Sequence, residues 1–240
     1  WDAGTSAASS NTDGSITSSV RVSQTAGLSI VSYTGNNGAS ATIGHGLNVK
    51  PSWIVVKRRG TAGNDWGVYH SALGATKNVD LNNGGNATSN SGFWNNTEPT
   101  NSVFSVGTFD MVNASDTYIA YCWAPVEGFS AFGSYTGNGS ADGPFVFTGH
   151  RARFLMIKCS TKSGEDWLML DTARDTFNDG DSSALYASLG HSNNSTSTIT
   201  TDILSNGFKA RATNAAINQS GETYLYMSFA SHPFRTARAR

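Results

Sequence analysis

Asp65 and Asp166 each stand directly before a tryptophan, Trp66 and Trp167. Paired carboxylates do general acid–base work when they flank a bond at a fixed separation and apolar surroundings raise one pKa. Neither condition is met along this chain. Glutamate occurs only at Glu98, Glu127, Glu165 and Glu222, and none lies within an apolar run. No Gly-x-Ser-x-Gly elbow, phosphate loop or His-Glu-x-x-His stretch is present. Asp65 and Asp166 are therefore expected to form turns, and the protein is expected not to be an enzyme.

Metal chemistry has one candidate. Asp171, Asp175, Asn178, Asp179 and Asp181 cluster around Gly180. Calcium takes six to eight oxygens of this kind, although the spacing is not that of an EF-hand. A solvated loop is the competing reading, and no cofactor is expected. The histidines are scattered without zinc-ligand spacing. His45 and His150, which follow Gly44 and Gly149, are expected at structural turns. Cys122 and Cys159 sit in apolar runs and read as buried free thiols.

Binding chemistry has a second candidate. Sugars stack on exposed aromatic rings while amides satisfy their hydroxyls. Trp94, Asn95 and Asn96 lie in a stretch rich in Asn, Gly, Ser and Thr, and Trp94 has no repeat counterpart. These three are expected to contribute to a glycan or partner contact, against the alternative that Trp94 closes a local apolar patch. Asn86, Asn113, Asn138 and Asn218 begin Asn-x-Ser/Thr triplets. They would accept glycans only in a eukaryotic secretory route.

The elements that hold these residues follow from composition and repetition. Charged residues are only 14% of the chain and formal net charge is −1. That balance leaves no electrostatic footprint for nucleic acid. The one basic cluster, Arg235, Arg238 and Arg240, reads as a solvated tail. No apolar stretch approaches the ~20 residues of a membrane helix, and no leader is visible at the start.

Duplication is the clearest signal. Ser32-Tyr33-Thr34-Gly35-Asn36 recurs as Ser134-Tyr135-Thr136-Gly137-Asn138. Trp53 to Lys57 matches Phe154 to Lys158, and Asn113 to Tyr118 matches Asn218 to Tyr224. Two copies are expected, over 28–129 and 130–240. The first copy ends Tyr121-Cys122-Trp123-Ala124, and the chain opens Trp1-Asp2-Ala3-Gly4. Residues 1–27 therefore read as the remnant of a preceding copy plus a Ser/Thr-rich linker, with Ile16 to Val22 as a candidate edge strand. By the same reasoning the chain is expected to be the C-terminal part of a longer protein.

Short apolar segments bounded by Gly, Asn and Pro predict an all-β fold. Expected strands include Leu28–Tyr33, Trp53–Val56, Trp66–His70, Val103–Val106 and Thr117–Trp123. In the last, Tyr118, Ala120 and Cys122 share one face. Expected in the second copy are Phe145–Phe147, Arg153–Lys158, Trp167–Leu170, Gly207–Ala212 and Tyr224–Ala230, with Ser182–Gly190 a helical turn or a strand. The expected architecture is two tandem antiparallel β-sandwiches, jelly-roll or lectin-like. Two copies sharing one core is the alternative.

Trp1-Asp2-Ala3-Gly4, Ser29 to Asn36, Trp94-Asn95-Asn96-Thr97, Tyr118 to Pro125, Phe132 to Ser140 and His232-Pro233-Phe234 also carry a resemblance. In combination the chain resembles the tandem-repeat virion proteins of marine tailed bacteriophages, which are tail- or fibre-associated structural proteins. That resemblance implies a virion-surface location and self-association with other virion proteins. It also implies contact with host envelope glycans, without nucleic acid or membrane insertion. A purely architectural role in a capsid or fibre is the runner-up, and a tail-borne polysaccharide depolymerase the third reading.

Overall fold

The computed structural model describes residues 2–175, 178, 180, 182–189, 194–196 and 199–232. The architecture is all-β and sandwich-like, with antiparallel sheets and two one-turn helices among the described residues. The chain divides into two compact units. Unit 1 comprises Trp1–Leu81 and Ala87–Pro125, and unit 2 comprises Asn82–Asn86 and Val126–Arg240. The division near residue 125 falls four residues before the expected boundary at 129.

Unit 1 contains β1 (Ser9–Asn11), β2 (Ser18–Ser23), β3 (Leu28–Thr34), β4 (Ala41–Gly44), β5 (Trp53–Arg58) and β6 (Trp66–His70). It continues with β7 (Lys77–Asp80), β8 (Thr88–Ser89), α1 (Ser91–Trp94), β9 (Val103–Val106), α2 (Asp110–Asn113) and β10 (Thr117–Trp123). Its large sheet runs β1-β2-β3-β10-β5-β6-β7-β8, and β4 pairs with β9 separately. Unit 2 contains β11 (Ser130–Thr136), β12 (Phe145–Phe147), β13 (Ala152–Cys159), β14 (Leu168–Asp171) and β15 (Ser182–Tyr186). Then come β16 (Asn194–Thr196), β17 (Thr201–Leu204), β18 (Gly207–Ala210) and β19 (Thr223–Ala230). Its large sheet runs β11-β19-β13-β14-β15-β16, and its small sheet runs β12-β18-β17.

The same strand order thus recurs: β3-β10-β5-β6-β7-β8 corresponds to β11-β19-β13-β14-β15-β16, and β4-β9 to β12-β18. Period-2 alternation in β10 turns Tyr118, Ala120 and Cys122 into the unit 1 core, where each is 0% exposed. Ile43, Phe104 and Val106 meet them from the small sheet. In unit 2 Leu155, Ile157 and Tyr224 face Val146 and Phe208 in the same way. Trp53 to Val56 is buried throughout, as a continuous apolar run requires.

Within residues 1–27 the strand expected over Ile16 to Val22 is present as β2, and β1 lies beyond it. β1 and β2 extend the unit 1 sheet beyond β3, and Ile16 and Val20 enter its core. The Ser- and Thr-rich composition that suggests a linker instead produces an alternating strand, Ser18-Ser19-Val20-Arg21-Val22, of which only one face is apolar. Ser182–Tyr186 is a strand. Trp1, Pro233 and Phe234, which help carry the resemblance, lie outside the described residues, as do Arg235, Arg238 and Arg240.

Candidate functional site

Each unit is pinned by a buried tyrosine pair and a buried asparagine. Tyr33 and Tyr118 stack at 5.1 Å with planes 13° apart, and Tyr135 and Tyr224 stack at 4.9 Å and 14°. Tyr33 Oη donates to Val112 O and Tyr135 Oη to Ile217 O, each at 2.7 Å. Asn113 Nδ2 donates to Gly38 O at 2.8 Å and Gly107 O at 2.9 Å, while its Oδ1 accepts the Asn36 amide at 2.9 Å. Asn218 repeats the pattern with Ser140 O, Ala212 O and the Asn138 amide at 2.7, 3.0 and 2.9 Å. Both asparagines are 0% exposed, so neither is a glycan acceptor. Burial pushes the Tyr33 and Tyr135 phenols well above their usual range, with the stacked partner adding to the rise. These are fold-holding groups, not reactive ones.

Trp94 belongs to the same category. It closes α1 at 1% exposure, tilted against Phe93 and edge-on to Tyr69 at 5.9 Å. A ring enclosed in the core presents no face to a sugar, so the expected Trp94 contact is corrected. Its one-turn helix buries Phe93 and Trp94 under the Asn/Ser-rich stretch, and its Nε1 finds no hydrogen-bond partner among the described residues. Asn95 and Asn96 adopt positive φ, at 50° each, and turn the chain out of the helix. Asn95 Nδ2 donates to Ser40 Oγ at 3.1 Å.

The calcium candidate is only partly within view, because Asp179 and Asp181 lie outside the described residues. Asp171 meets the Arg174 guanidinium at 2.6 Å and accepts the amides of Ala173 and Arg174. Asp175 accepts the Ser183 amide at 3.0 Å, and Asn178 pairs with the main chain of Ile203. Donors of the protein therefore already engage both described carboxylates. Among the described residues no three His, Cys, Asp or Glu converge as a metal-binding group.

The remaining ionisable groups brace loops. Asp116 accepts from Arg58 Nε at 2.7 Å, from Thr61 Oγ1 at 2.8 Å and from the Thr117 amide, which hold its carboxyl down at about 2. Burial raises the Glu98 carboxyl, but donation from Tyr69, Lys50 and the Ala75 amide brings it below the usual range. His45 is buried, with Nδ1 accepting the Leu47 amide at 3.2 Å, and burial lowers its pKa. Asp65 and Asp166 stand in the corresponding loops β5–β6 and β13–β14, and Asp166 accepts from Ser188 Oγ at 2.7 Å. Cys122 and Cys159 are free and buried.

An open feature of unit 1 was missed by sequence reasoning. A groove of about 410 Å³ runs over the β1-β2-β3-β10 corner, lined by Ser10, Thr17, Ser19, Ser32, Thr117 and Arg59 among others. Its floor is set by register. Ser10 pairs with Ser19, and Ser19 with Ser32, so three hydroxyls form one cross-strand row. Thr34 pairs with Thr117 one row along, and the Arg59 amide donates to Thr117 O at 2.8 Å. Arg59 is exposed and forms no ion pair among the described residues. Hydroxyls spaced by the pleat, with one guanidinium at the rim, match the donors and acceptors of a polyhydroxylated ligand bearing a carboxylate. Ser18-Ser19 lies in the candidate edge strand Ile16 to Val22 and Ser32 in the expected strand Leu28–Tyr33, but only the pairing of these strands sets their hydroxyls in one row.

A second open feature lies in unit 2. Phe145 and Phe147 of β12 are 47% and 65% exposed, on the face opposite core residue Val146. Asp142 near them is paired to Lys209 at 2.6 Å and Arg211 at 2.9 Å, and Arg211 also meets Asp202 at 3.3 Å.

Fold and site together define a sandwich-like β protein with polar and apolar surface features but no assembled reactive centre among the described residues. The chain belongs to the family described as Domain of unknown function (DUF7483), which matches residues 1–233. No curated protein and no solved structure matches it.

Proposed function

We propose that this chain is a non-catalytic attachment and structural module of a phage virion, built as two tandem β-sandwich repeats and associated with the tail or a fibre. The hydroxyl-lined groove bordered by Arg59 is the observation that supports the attachment half of this reading. It replaces the buried Trp94 as the place where host envelope glycans are held. Ser10, Ser19 and Ser32 would exchange hydrogen bonds with sugar hydroxyls, and Arg59 would pair with a uronate or similar acidic group. A shallow groove of this kind gives weak single contacts, and many copies on one particle would turn them into firm adhesion.

Retention of the chain on immobilised alginate, a uronate polymer, tests the reading against neutral dextran. Arg59→Gln is expected to weaken alginate retention about tenfold and to leave dextran unaffected, with stronger retention at low salt. Equal retention of wild type and Arg59→Gln on alginate overturns the groove assignment. The architectural reading is favoured by a separate observation, the exposed edge of β12.

A further inference from the structure

In the small sheets of the two units β4-β9 corresponds to β12-β18, with β17 a third strand in unit 2, yet the edges at β4 and β12 differ. In unit 1 the edge of β4 is capped by the chain itself. Ile16 bridges Ile43 in parallel, the Ile16 amide donates to Thr42 O at 3.0 Å, and Ser15 and Thr42 exchange side-chain hydrogen bonds at 2.9 Å. Among the described residues of unit 2 no segment corresponds to β1 and β2, and β12 stands at the edge of its sheet. Phe145 and Phe147 occupy the positions of Thr42 and Gly44, because Val146 faces Phe208 as Ile43 faces Phe104.

The main chain of β12 is presented for pairing. Pro144 O accepts the Ala210 amide, and the Thr148 amide donates to Asn206 O. Alternation along the strand therefore turns the N–H and C=O of Phe145 and Phe147 away from β18, toward the open side. No hydrogen bond outside the sheet engages these groups among the described residues.

We infer that this edge pairs with β12 of a second copy of the chain, antiparallel and two-fold about Val146. Phe-Val-Phe reads the same in both directions, so that pairing sets Phe145 opposite Phe147 of the partner copy, and the reverse, in one register. Every outward N–H then meets an outward C=O, and the four rings lie together on one face. A strap like that of unit 1 does not fit here. Asn11 lies so close to Gly44 that a Cβ there would stand 1.6 Å from its Oδ1, whereas the equivalent Phe147 carries a whole ring.

Charge permits the contact, since Lys209 and Arg211 are matched by Asp142 and Asp202, and the edge bears no net charge to repel its copy. Area sets its strength. Two strands of three residues and four partly exposed rings fall below the ~1,200 Å² of a stable interface, so the dimer is reversible and forms at about 100 μM or above. This inference is independent of glycan binding in unit 1.

Sedimentation velocity of the full chain from about 1 μM to 1 mM tests it, together with hydrogen exchange at both ends of that range. The expected result is a monomer that becomes a dimer, with exchange of the Phe145 and Phe147 amides slowed severalfold at high concentration. Phe147→Pro removes an outward donor and a ring without touching the bonds to β18. Phe147→Lys places a charge on the edge. Both are expected to shift dimerisation at least tenfold upward while the near-ultraviolet spectrum of the tyrosine pair is kept. A wild-type chain that stays monomeric at ~1 mM overturns the inference. So does a dimer in which those two amides exchange as fast as in the monomer, a result that needs no variant to fold. Protection that requires added polysaccharide rather than concentration assigns the edge to a ligand and likewise overturns it.

Discussion

Unit 1 and unit 2 share a strand order, a stacked tyrosine pair and a buried asparagine, but their borders are finished differently. Unit 1 adds β1 and β2, which widen its large sheet, floor the hydroxyl groove and bring Ile16 against the edge of β4. Among the described residues unit 2 has no such addition, and Phe145 and Phe147 are exposed. The charged braces also diverge. Arg58 holds Asp116 in unit 1, whereas the corresponding positions of unit 2 are Cys159 and Glu222, and Glu222 accepts instead from Thr161 at 2.5 Å. The shared parts maintain the fold, and the differing parts make the surfaces. Candidate functions should be sought where the two units disagree.

The largest expected effect separates the units most sharply. Trp94→Ala empties a fully buried site in unit 1, at a tryptophan without a repeat counterpart in the sequence, and is expected to cost about 3–5 kcal/mol. Chemical denaturation should show unit 1 losing its near-ultraviolet signal first; an unchanged midpoint would contradict the burial. Next come Asn113→Ala and Asn218→Ala, which leave one amide and at least two carbonyls without their buried partner. Each is expected to lose about 2–4 kcal/mol, and a marked inequality would show that the two pins are not equivalent.

Gly35→Ala and Gly137→Ala should follow. An added Cβ would stand 2.1 Å from Ala114 O in one unit and 2.3 Å from Gln219 O in the other. Overpacking against main chain is expected to cost about 1–3 kcal/mol at either position, measured as a fall in Tm.

The smallest effect is in pH. Asp116 titrates at about 2 in the folded state against an ordinary 3.8, so its contribution is complete above pH 3.8 and lost as pH falls toward 2. Asp116→Asn should therefore flatten the acid limb of the stability profile over that window. His45, lowered by burial, adds a separate loss of stability as pH falls below its ordinary 6.5, because the unfolded chain takes up the proton first. A His45→Gln profile still declining equally between pH 6.5 and 5 would assign that loss elsewhere.

Much of the fold was legible in the chain. Repetition in register predicted the corresponding strands, and alternation in Thr117–Trp123 predicted which residues face the core. Strands with little apolar signal escaped it. β1 and β8 are short and polar, whereas β2 was legible as the candidate edge strand Ile16 to Val22 despite its Ser/Thr-rich setting. Composition scores such a stretch as loop, although pairing with β3 supplies the stability that its side chains do not. The binding residues were less legible still. A tryptophan without a counterpart suggested an exposed platform, but α1 carries Trp94 inward, and its uniqueness reflects a local plug in one core.

By itself the sequence determined the all-β class, the repeated strand pattern and the burial of the main apolar runs, because periodicity and turn chemistry act over a few neighbours. Only the tertiary structure decided that Asn113 and Asn218 are pins and that Ser10, Ser19 and Ser32 share one row. It alone decided that β4 has a covered edge while β12 has an open one. Each of these depends on which distant strands lie side by side, and in an antiparallel sheet that is set by long-range pairing and register rather than by any local run of residues.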